Sequence, residues 1–220
     1  MATSTVEDYV KAIYLLQSES PTGEATVARI AATVGVTKGT VTAMVRKLRD
    51  TGLADAERYG GITLTDKGDA LAIDMIRRHR LIEVFLVDIL GLDWAEVHDE
   101  AERLEHAMSK KVLDRLDAFL GHPAEDPHGD PIPDRQGRLT EPSLTPLASL
   151  EAGESGTIGR VSDQDSQFLA FAAAHGLRPG NGFAVLTRSR EADSMTVHAT
   201  GHDPIGLSLG VAVRVLVNRT

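Results

Sequence analysis

Cysteine is absent from this chain of 220 residues, and aromatic residues make up only 4% of it. Without cysteine there is no disulfide framework and no metal site built on thiolates. No apolar run approaches the roughly 20 residues that span a bilayer, and the N-terminus lacks the basic start and apolar core of a signal peptide. These absences predict a cytoplasmic protein without a membrane partner.

Basic residues are fewer than acidic ones, 23 against 32, so the formal net charge is −9. That sign is wrong for a protein that binds nucleic acid over its whole surface. Between Glu24 and Asp50, however, basic residues outnumber acidic ones and the local net charge is +3. The basic residues of this segment are Arg29, Lys38, Arg46, Lys47 and Arg49. A local patch of this kind predicts contacts with phosphates.

The first 65 or so residues have the pattern of a winged helix-turn-helix. Apolar periodicity predicts helices over residues 6–16, 26–34 and 41–53, with Gly35 and Gly52 as stops. Residues 53–65 predict two short strands around a Tyr-Gly-Gly turn, which is the wing. The predicted DNA contacts add Thr37, Gly39, Thr40, Thr42 and Arg58 to the five basic residues. The alternative is a winged helix that serves protein contacts only.

Residues 98–106 place potential metal ligands on one side of a predicted helix. Residues three and four apart share a helical face, which groups His98, Glu102, Glu105 and His106. Carboxylates and imidazoles that converge in this way favour a divalent cation, because carboxylates alone would repel one another. The alternative is a solvated acidic helix with incidental histidines.

A preceding helix, predicted over residues 65–90, carries His79 and Glu83 four residues apart, a spacing at which two side chains can share one ion or form a surface pair. A further helix is predicted over residues 109–120. Three such helices bury little core alone, so a homodimer is expected, and a two-fold dimer would match a palindromic operator in double-stranded DNA.

Residues 121–146 are rich in proline, glycine and charge, which predicts a linker. Beyond it, strands are predicted over residues 154–161, 183–187, 196–199 and 211–217, with a helix over 168–176. Short strands with regular turns predict a small closed β-barrel. The predicted fold is therefore mainly α, with a winged-helix DNA-binding domain (1–73), a helical metal-binding and dimerisation domain (74–140) and a small C-terminal β-barrel (147–220).

The chain resembles the diphtheria-toxin-repressor family of metal-dependent transcription regulators, including its manganese-sensing type. The resemblance rests on several motifs that occur together at the separations typical of that family. They are Glu7-Asp8-Tyr9-Val10-Lys11-Ala12-Ile13-Tyr14, the helix-turn-helix, Leu64-Thr65-Asp66-Lys67-Gly68, Arg78-His79-Arg80-Leu81-Ile82-Glu83, residues 94–108 and Pro127-His128-Gly129-Asp130-Pro131-Ile132-Pro133. The resemblance covers almost the whole chain. It implies a repressor of metal-homeostasis genes with a metal ion as corepressor.

The resemblance implies two metal sites. Primary ligands fall on Asp8, Glu102, Glu105 and His106, and ancillary ligands fall on His79, Glu83 and His98. Carboxylates at positions 8 and 102 match the manganese type, and oxygen plus imidazole donors suit Mn²⁺, or Fe²⁺ as second choice. Lys11 departs from the manganese type, which has at this position a glutamate that helps to hold a second ion. A protonated lysine cannot ligate, so a paired site is not expected here.

The resemblance extends less specifically to the C-terminal third. Asp126 and His128 fall where some streptococcal-type manganese relatives use a cysteine and a histidine at the ancillary site. The last segment resembles the FeoA-like barrel of longer family members, which lends oxygen ligands to that site. Asp163 or Gln164 lies in the corresponding loop; the alternative is a barrel that only packs.

The sequence thus predicts a homodimeric, metal-activated DNA-binding repressor rather than an enzyme. Glu102-x-x-Glu105-His106 is not the zinc hydrolase pattern, because its first residue is glutamate. A di-iron bundle would need Glu-x-x-His on its helices, and none of the predicted helices carries this motif. The remaining alternative is a metal-independent winged-helix regulator whose acidic cluster is structural.

Overall fold

The computed structural model describes residues 3–56, 61–162 and 165–219. The chain folds as two compact units. The first comprises Met1–Arg78, Glu105–Ala107 and Pro133–Arg138, and the second comprises His79–Leu104, Met108–Ile132 and Leu139–Thr220. No helix among the described residues combines the length and the apolar character needed to cross a membrane.

The first unit is built on a helix-turn-helix, as the sequence predicts. Helices α1 (Ser4–Ser18), α2 (Val27–Val34) and α3 (Lys38–Asp50) bury one apolar core together with strands β1 (Ala54–Ala56) and β2 (Ile62–Leu64). The two strands pair antiparallel as the expected wing. Helix α3 begins at Lys38 instead of residue 41, because the Thr37 side chain accepts the Thr40 N–H and caps the helix there.

The helices after the wing carry the ancillary ligands His79, Glu83 and His98, which all lie in the second unit. Helix α4 (Asp66–Val84) runs on into a π-helical turn over Phe85–Ile89, followed by α5 (Val97–Glu105) and α6 (Lys110–Phe119). The predicted helices are confirmed, including the separate α6, whose N-cap is Ser109. Helical spacing also predicts one buried apolar stripe formed by Val97, Ala101, Leu104, Met108 and Val112. Leu104 and Val112 are instead 43% and 52% exposed in the single chain. The interruption between α5 and α6 breaks the periodicity on which that stripe depended.

The C-terminal part of the second unit is a six-stranded antiparallel sheet in the order β3-β8-β4-β5-β6-β7. Its strands are β3 (Thr145–Pro146), β4 (Ser155–Val161), β5 (Gly182–Ser189), β6 (Ser194–Ala199), β7 (Ile205–Ser208) and β8 (Val215–Arg219), with helix α7 (Ser166–Ala174) after β4. Among the described residues no pairing joins β3 to β7, so the prediction of a closed barrel is wrong. The two-residue β3 offers too short an edge to close the sheet.

Two further predictions need correction. The strand expected over residues 211–217 starts later, because Leu209–Ala212 form helix α8, capped by Ser208, before β8 begins. A mainly helical chain is not confirmed, since the sheet dominates the region after residue 145.

The segment predicted as a linker is partly an integral piece of the second unit. Asp126 and His128 are buried, and Ile132 packs in a helical core with Leu81 and Leu113. Gly129 lies so close to β4 that a Cβ atom would meet the Gly159 carbonyl oxygen at 2.0 Å. This packing decides where Asp126 and His128 lie.

Candidate metal centres and nucleic-acid interface

A cluster of carboxylates surrounds His106 in the first unit, and we call it the primary centre: Glu7, Asp8, Glu105 and His106, with Lys11 beside them. The imidazole Nε2 lies 2.9 Å from an Asp8 oxygen and 3.9 Å from a Glu105 oxygen. Asp8 comes from α1, whereas Glu105 is the last residue of α5 and His106 follows it. Asp8, Glu105 and His106, three of the primary ligands that the family resemblance implies, thus lie together within the first unit.

Glu7 is a member of this cluster that the sequence analysis did not single out. Its carboxylate lies 2.8 Å from His106 Nδ1. When Glu7 accepts the Nδ1–H, the neutral ring keeps its lone pair on Nε2, the nitrogen that faces Asp8 and Glu105. Glu7 therefore orients the His106 ring so that Nε2 faces Asp8 and Glu105. Its position next to Asp8 could have indicated this role. An acidic residue in the first turn of a helix is common, however, because it interacts favourably with the helix dipole, so the position alone did not point to His106.

Lys11 pairs with Glu105 through both carboxylate oxygens. The ammonium lies 3.1 Å from Oε1 and 2.9 Å from Oε2. The Glu105 side chain is fully buried and that of Lys11 is 9% exposed. Lys11 therefore acts as a hydrogen-bond donor to Glu105. An ammonium has no lone pair to offer a metal ion, so this contact agrees with the expectation that Lys11 is not a ligand.

Glu102, the fourth implied primary ligand, belongs to the second unit. One of its oxygens lies 3.8 Å from His79 Nδ1 and 3.9 Å from His98 Nε2. Glu102 and Glu105 are three residues apart in α5, so their side chains leave the helix on neighbouring positions of one face.

The ancillary residues lie together in the second unit. His79 Nε2 is 3.0 Å from a Glu83 oxygen and 2.9 Å from His98 Nδ1. His98 Nδ1 is also 3.5 Å from that Glu83 oxygen. Glu83 and His79 are almost fully buried. The helical spacing of four predicted the pair, and α5 brings His98 to it.

A second trio extends this site from the opposite side of Glu83. The other Glu83 oxygen lies 3.8 Å from His128 Nδ1, which is itself 4.0 Å from Asp126. Ligand atoms of Glu83, Asp126 and His128 lie within 4.8 Å of one another. Asp163, the remaining ancillary candidate, falls outside the described residues. We call the five residues His79, Glu83, His98, Asp126 and His128 the ancillary centre.

Burial and charge shift the pKa values in the ancillary centre in different directions. Burial would raise the pKa of Glu83, but His79, His128 and His98 outweigh it and hold that pKa well below its ordinary value. Burial raises the pKa of Asp126 to about 8, reinforced by the charges of Asp130 and Glu83. Burial opposes protonation of His128, yet the hydrogen bond and charge of Glu83 prevail and raise its pKa.

Backbone contacts fix the Asp126–His128 turn against the rest of the second unit. His128 Nε2 lies 2.9 Å from the Trp94 carbonyl oxygen, and the Trp94 indole donates to the Pro127 carbonyl at 2.6 Å. The Val161 N–H of β4 donates to the His128 carbonyl at 2.9 Å. The turn is therefore held by contacts on both of its sides, which orients the two side chains toward Glu83.

The donors of both centres fit a divalent cation of intermediate hardness. Each centre offers carboxylate oxygens and imidazole nitrogens, and the chain contains no cysteine. Buried carboxylates such as Glu83 and Glu105 have lost hydration, which a cation would replace. Oxygen donors with few imidazoles suit Mn²⁺ and Fe²⁺ better than soft metals.

The predicted nucleic-acid contacts lie on the exposed face of α3 and its surroundings. Thr37, Lys38, Gly39, Thr40, Thr42, Arg46, Lys47 and Arg49 are all exposed. The Thr42 hydroxyl donates to the Lys38 carbonyl at 2.9 Å. Arg29 pairs with Glu19 at 2.6 Å, which reduces its availability to a phosphate. Arg58 falls outside the described residues.

Comparison with known families covers three consecutive stretches of the chain. Residues 1–62 match "Iron dependent repressor, N-terminal DNA binding domain". Residues 65–134 match "Iron dependent repressor, metal binding and dimerisation domain". Residues 145–219 match the FeoA domain.

Individual relatives agree with the family matches. The iron-dependent repressor IdeR of Mycobacterium bovis is 43% identical over 129 residues, which are 59% of this chain and 55% of that protein. The chain thus spans about half the length of such relatives. The transcriptional regulator MntR of Lysinibacillus sphaericus is 36% identical over 58% of this chain and 89% of that protein.

Solved structures extend the likeness over nearly the whole chain. A manganese-dependent transcriptional repressor in complex with manganese is 39% identical with a TM-score of 0.89, covering 98% of this chain and 100% of that one. The repressor ScaR with bound Cd²⁺ is 32% identical with a TM-score of 0.81, covering 98% and 99%. From the three family matches, the centres and this likeness, the chain belongs to the iron-dependent repressor family, which is the diphtheria-toxin-repressor family.

Proposed function

We propose that the chain is a metal-activated, homodimeric DNA-binding repressor that controls metal-homeostasis genes, with Mn²⁺ as the favoured corepressor and Fe²⁺ as the second candidate. The observation that carries this proposal is the primary centre. Asp8 is contributed by α1, which shares a core with α2 and α3, and its carboxylate lies against His106. Relatives named as iron-dependent and manganese-dependent repressors support the same assignment.

At the primary centre, the proposed ligands are Asp8, Glu102, Glu105 and His106. Bound metal would supply positive charge to carboxylates that otherwise repel one another. Glu7 would accept the Nδ1–H of His106 and keep Nε2 available. Asp8 lies on α1, which shares a core with the recognition helix α3, so ligation by Asp8 would couple metal binding to the DNA-binding segment.

At the ancillary centre, the proposed ligands are His79, Glu83 and His98, with Asp126 and His128 completing the set. Their support is the convergence of His79, His98 and His128 on the two oxygens of Glu83. A ligand atom of Asp126 lies within 4.8 Å of Glu83 and His128. Asp163 is retained as a proposed oxygen ligand on the family resemblance alone.

The proposed switch is a shift of population rather than the creation of a new shape. Without metal, carboxylate repulsion leaves the orientation of the recognition helix loosely set, and metal favours the DNA-binding orientation. A coupling free energy of roughly 1–3 kcal/mol corresponds to roughly a 5- to 150-fold change in operator affinity.

Helix α3 is the proposed reader of the major groove. Its exposed threonines suit base edges and thymine methyls, while Lys38, Arg46, Lys47 and Arg49 suit phosphates. Two copies in a two-fold dimer would place two α3 helices on half-sites of a palindromic operator, about one turn of DNA apart.

The proposed dimer surface includes the exposed apolar side chains of α5 and α6. Leu104, Val112 and Phe119 are 43%, 52% and 67% exposed in the single chain. Exposed large apolar side chains of this kind are typical of surfaces that a partner covers.

The testing experiment measures binding of the protein to a manganese-transporter promoter fragment at fixed salt and pH. Mn²⁺, anaerobic Fe²⁺ and a chelator are compared. We expect tight binding only with metal, and Asp8→Asn and Glu102→Gln to lose the metal response while keeping the fold by circular dichroism. Glu100→Gln is the matched control, because Glu100 lies on the same helix in an exposed pair with Arg103.

Equally tight binding in chelator would refute the proposal. The acidic cluster would then be structural, and a metal-independent winged-helix regulator would take its place. A full metal response in both ligand variants would refute the assignment of the primary centre.

A further inference from the structure

An open cavity of about 690 Å³ lies in the sheet region of the second unit, and its lining residues belong to neither metal centre. Three of the eight histidines of the chain line it, His175, His198 and His202. His175 is the C-cap residue of α7, His198 lies on β6, and His202 lies in the turn between β6 and β7. Asp203 adds a carboxylate to the same cavity. The fold thus gathers three imidazoles from separate elements.

Backbone carbonyl groups fix the tautomer of two of these rings. His175 Nδ1 lies 2.8 Å from the Phe171 carbonyl oxygen, and His202 Nδ1 lies 3.2 Å from the Thr200 carbonyl oxygen. A carbonyl oxygen can only accept, so each Nδ1 carries the hydrogen and donates it. The neutral ring then keeps its lone pair on Nε2. Histidines that bind metal ions are typically oriented in this way, by donation from the other ring nitrogen to a carbonyl or carboxylate group.

Packing places the His202 ring against the end of α7. Gly176 follows His175 and has a φ of +71°, and a Cβ atom at residue 176 would overlap the His202 ring. His175 and His202 are both half-buried, whereas His198 is exposed. The ring of an exposed residue changes rotamer rapidly, so the His198 ring can turn toward the other two.

We propose that this cavity, which we call the histidine site, binds a divalent transition-metal ion, Zn²⁺ above all, through His175, His198 and His202. The Asp203 carboxylate or a water molecule would complete a tetrahedral set, since zinc sites commonly combine three histidines with an oxygen ligand. Imidazole nitrogens suit Zn²⁺, Cu²⁺ and Ni²⁺, whereas carboxylate-rich sites suit Mn²⁺. The chain would therefore carry a site whose metal preference differs from that of its two carboxylate-containing centres. The histidine site does not depend on the proposed function.

The openness of the cavity sets the kind of ion that it holds. Among the described residues, the donor atoms of the histidine site are not gathered within 4.8 Å of one another, as those of the two centres are. A bound ion would draw the rings together and connect the β6–β7 turn to the end of α7. Ordering the side chains costs free energy, which weakens binding. The site therefore fits an exchangeable ion and not a permanently bound structural one.

The test counts the Zn²⁺ bound to the full chain by equilibrium dialysis at fixed pH, for the wild type and three variants. His198→Gln and His202→Gln each remove one imidazole from the histidine site. His122→Gln is the matched control, because His122 is the one histidine of the chain outside this site and both centres, and it pairs with Asp117 at 2.8 Å. None of the variants changes a residue of either centre, so Zn²⁺ taken up by the centres is the same in all four chains.

We expect the wild type and His122→Gln to bind one more Zn²⁺ per chain than His198→Gln and His202→Gln. Each ligand variant should weaken the histidine site at least about tenfold, because loss of even an outer-shell partner of a metal ligand costs about 10–100-fold in affinity. With Mn²⁺ in place of Zn²⁺, all four chains should give the same count. In proton NMR spectra of the wild type, the Cε1–H signals of the three site histidines should shift with one Zn²⁺ titration midpoint.

Equal Zn²⁺ counts in the wild type and both ligand variants would overturn the proposal, and so would the loss of the same ion in His122→Gln. The histidines would then only cap α7 and pack against Gly176. If His202→Gln does not fold, His198→Gln decides alone, because the exposed His198 side chain can be replaced without loss of packing. Site-histidine NMR signals that do not move at saturating Zn²⁺ would also overturn it.

Discussion

Replacement of Gly129 by alanine should damage the ancillary centre although residue 129 carries no ligand. Gly129 has a φ of +86° and follows His128 in the turn that packs on β4. An added Cβ would lie 2.0 Å from the Gly159 carbonyl oxygen and 2.9 Å from the Arg160 Cα. Backbone atoms cannot rotate away as a side chain does, so the turn must move off β4.

Two contributions set the size of the effect. A non-glycine residue at a left-handed φ costs about 1–3 kcal/mol. Displacement of the turn also weakens the hydrogen bond from Val161 N–H to the His128 carbonyl, worth about 1 kcal/mol, and the buried packing around it. We expect Gly129→Ala to lower the free energy of unfolding by about 3–5 kcal/mol and to weaken the second, ancillary metal-binding phase by about tenfold or more.

Gly180→Ala separates strain from overlap. Gly180 has nearly the same φ, +87°, but a Cβ there would meet nothing within 4 Å. It should therefore lower the free energy of unfolding by the strain alone, about 1–3 kcal/mol, and leave the metal affinity unchanged. Urea unfolding of both metal-free variants, followed by Mn²⁺ calorimetry, makes the comparison. Equal losses in the two variants would refute the argument that the contact with β4 holds the ancillary ligands.

Three further outcomes follow from the structure. Trp94→Phe should lower the free energy of unfolding by about 1–2 kcal/mol, because the Pro127 carbonyl loses its indole donor; urea unfolding measures this, and no change would contradict it. Lys47→Ala should reduce the slope of log affinity against log salt for operator DNA by about one, and a slope equal to that of the wild type would exclude a phosphate contact. Phe119→Glu should convert a dimer into monomers in sedimentation, since Phe119 is 67% exposed in the single chain; a dimer that persists would place the interface elsewhere.

Local spacing made much of the candidate centres predictable. His79 and Glu83 are four residues apart on α4, and the structure brings their side chains to 3.0 Å. The helix-turn-helix was predictable for the same reason, because apolar periodicity and stops such as Gly35, at φ +71°, act within a few residues. Metal identity, operator and domain boundaries remain predictions.

The C-terminal region shows where local patterns failed. Alternating apolar residues predicted strands correctly over β4, β5 and β6. They did not predict that Leu209–Ala212 would be helical or that the sheet would stay open. Valine and alanine fit a strand or a short buried helix equally well, so packing on the core decides between them.

The sequence by itself determined the helices of the first 120 residues and the residues that share a helical face, because those relations depend on spacings of three or four residues. Only the tertiary structure decided which distant charges meet. Glu7 reaches His106, and Lys11 reaches Glu105, across 99 and 94 residues of chain. No local pattern records such a pairing, since it depends on how α1 packs beside the end of α5 within the first unit. The sequence shows only that a protonated Lys11 cannot act as a metal ligand. The structure shows that Lys11 is the partner of the buried Glu105 carboxylate.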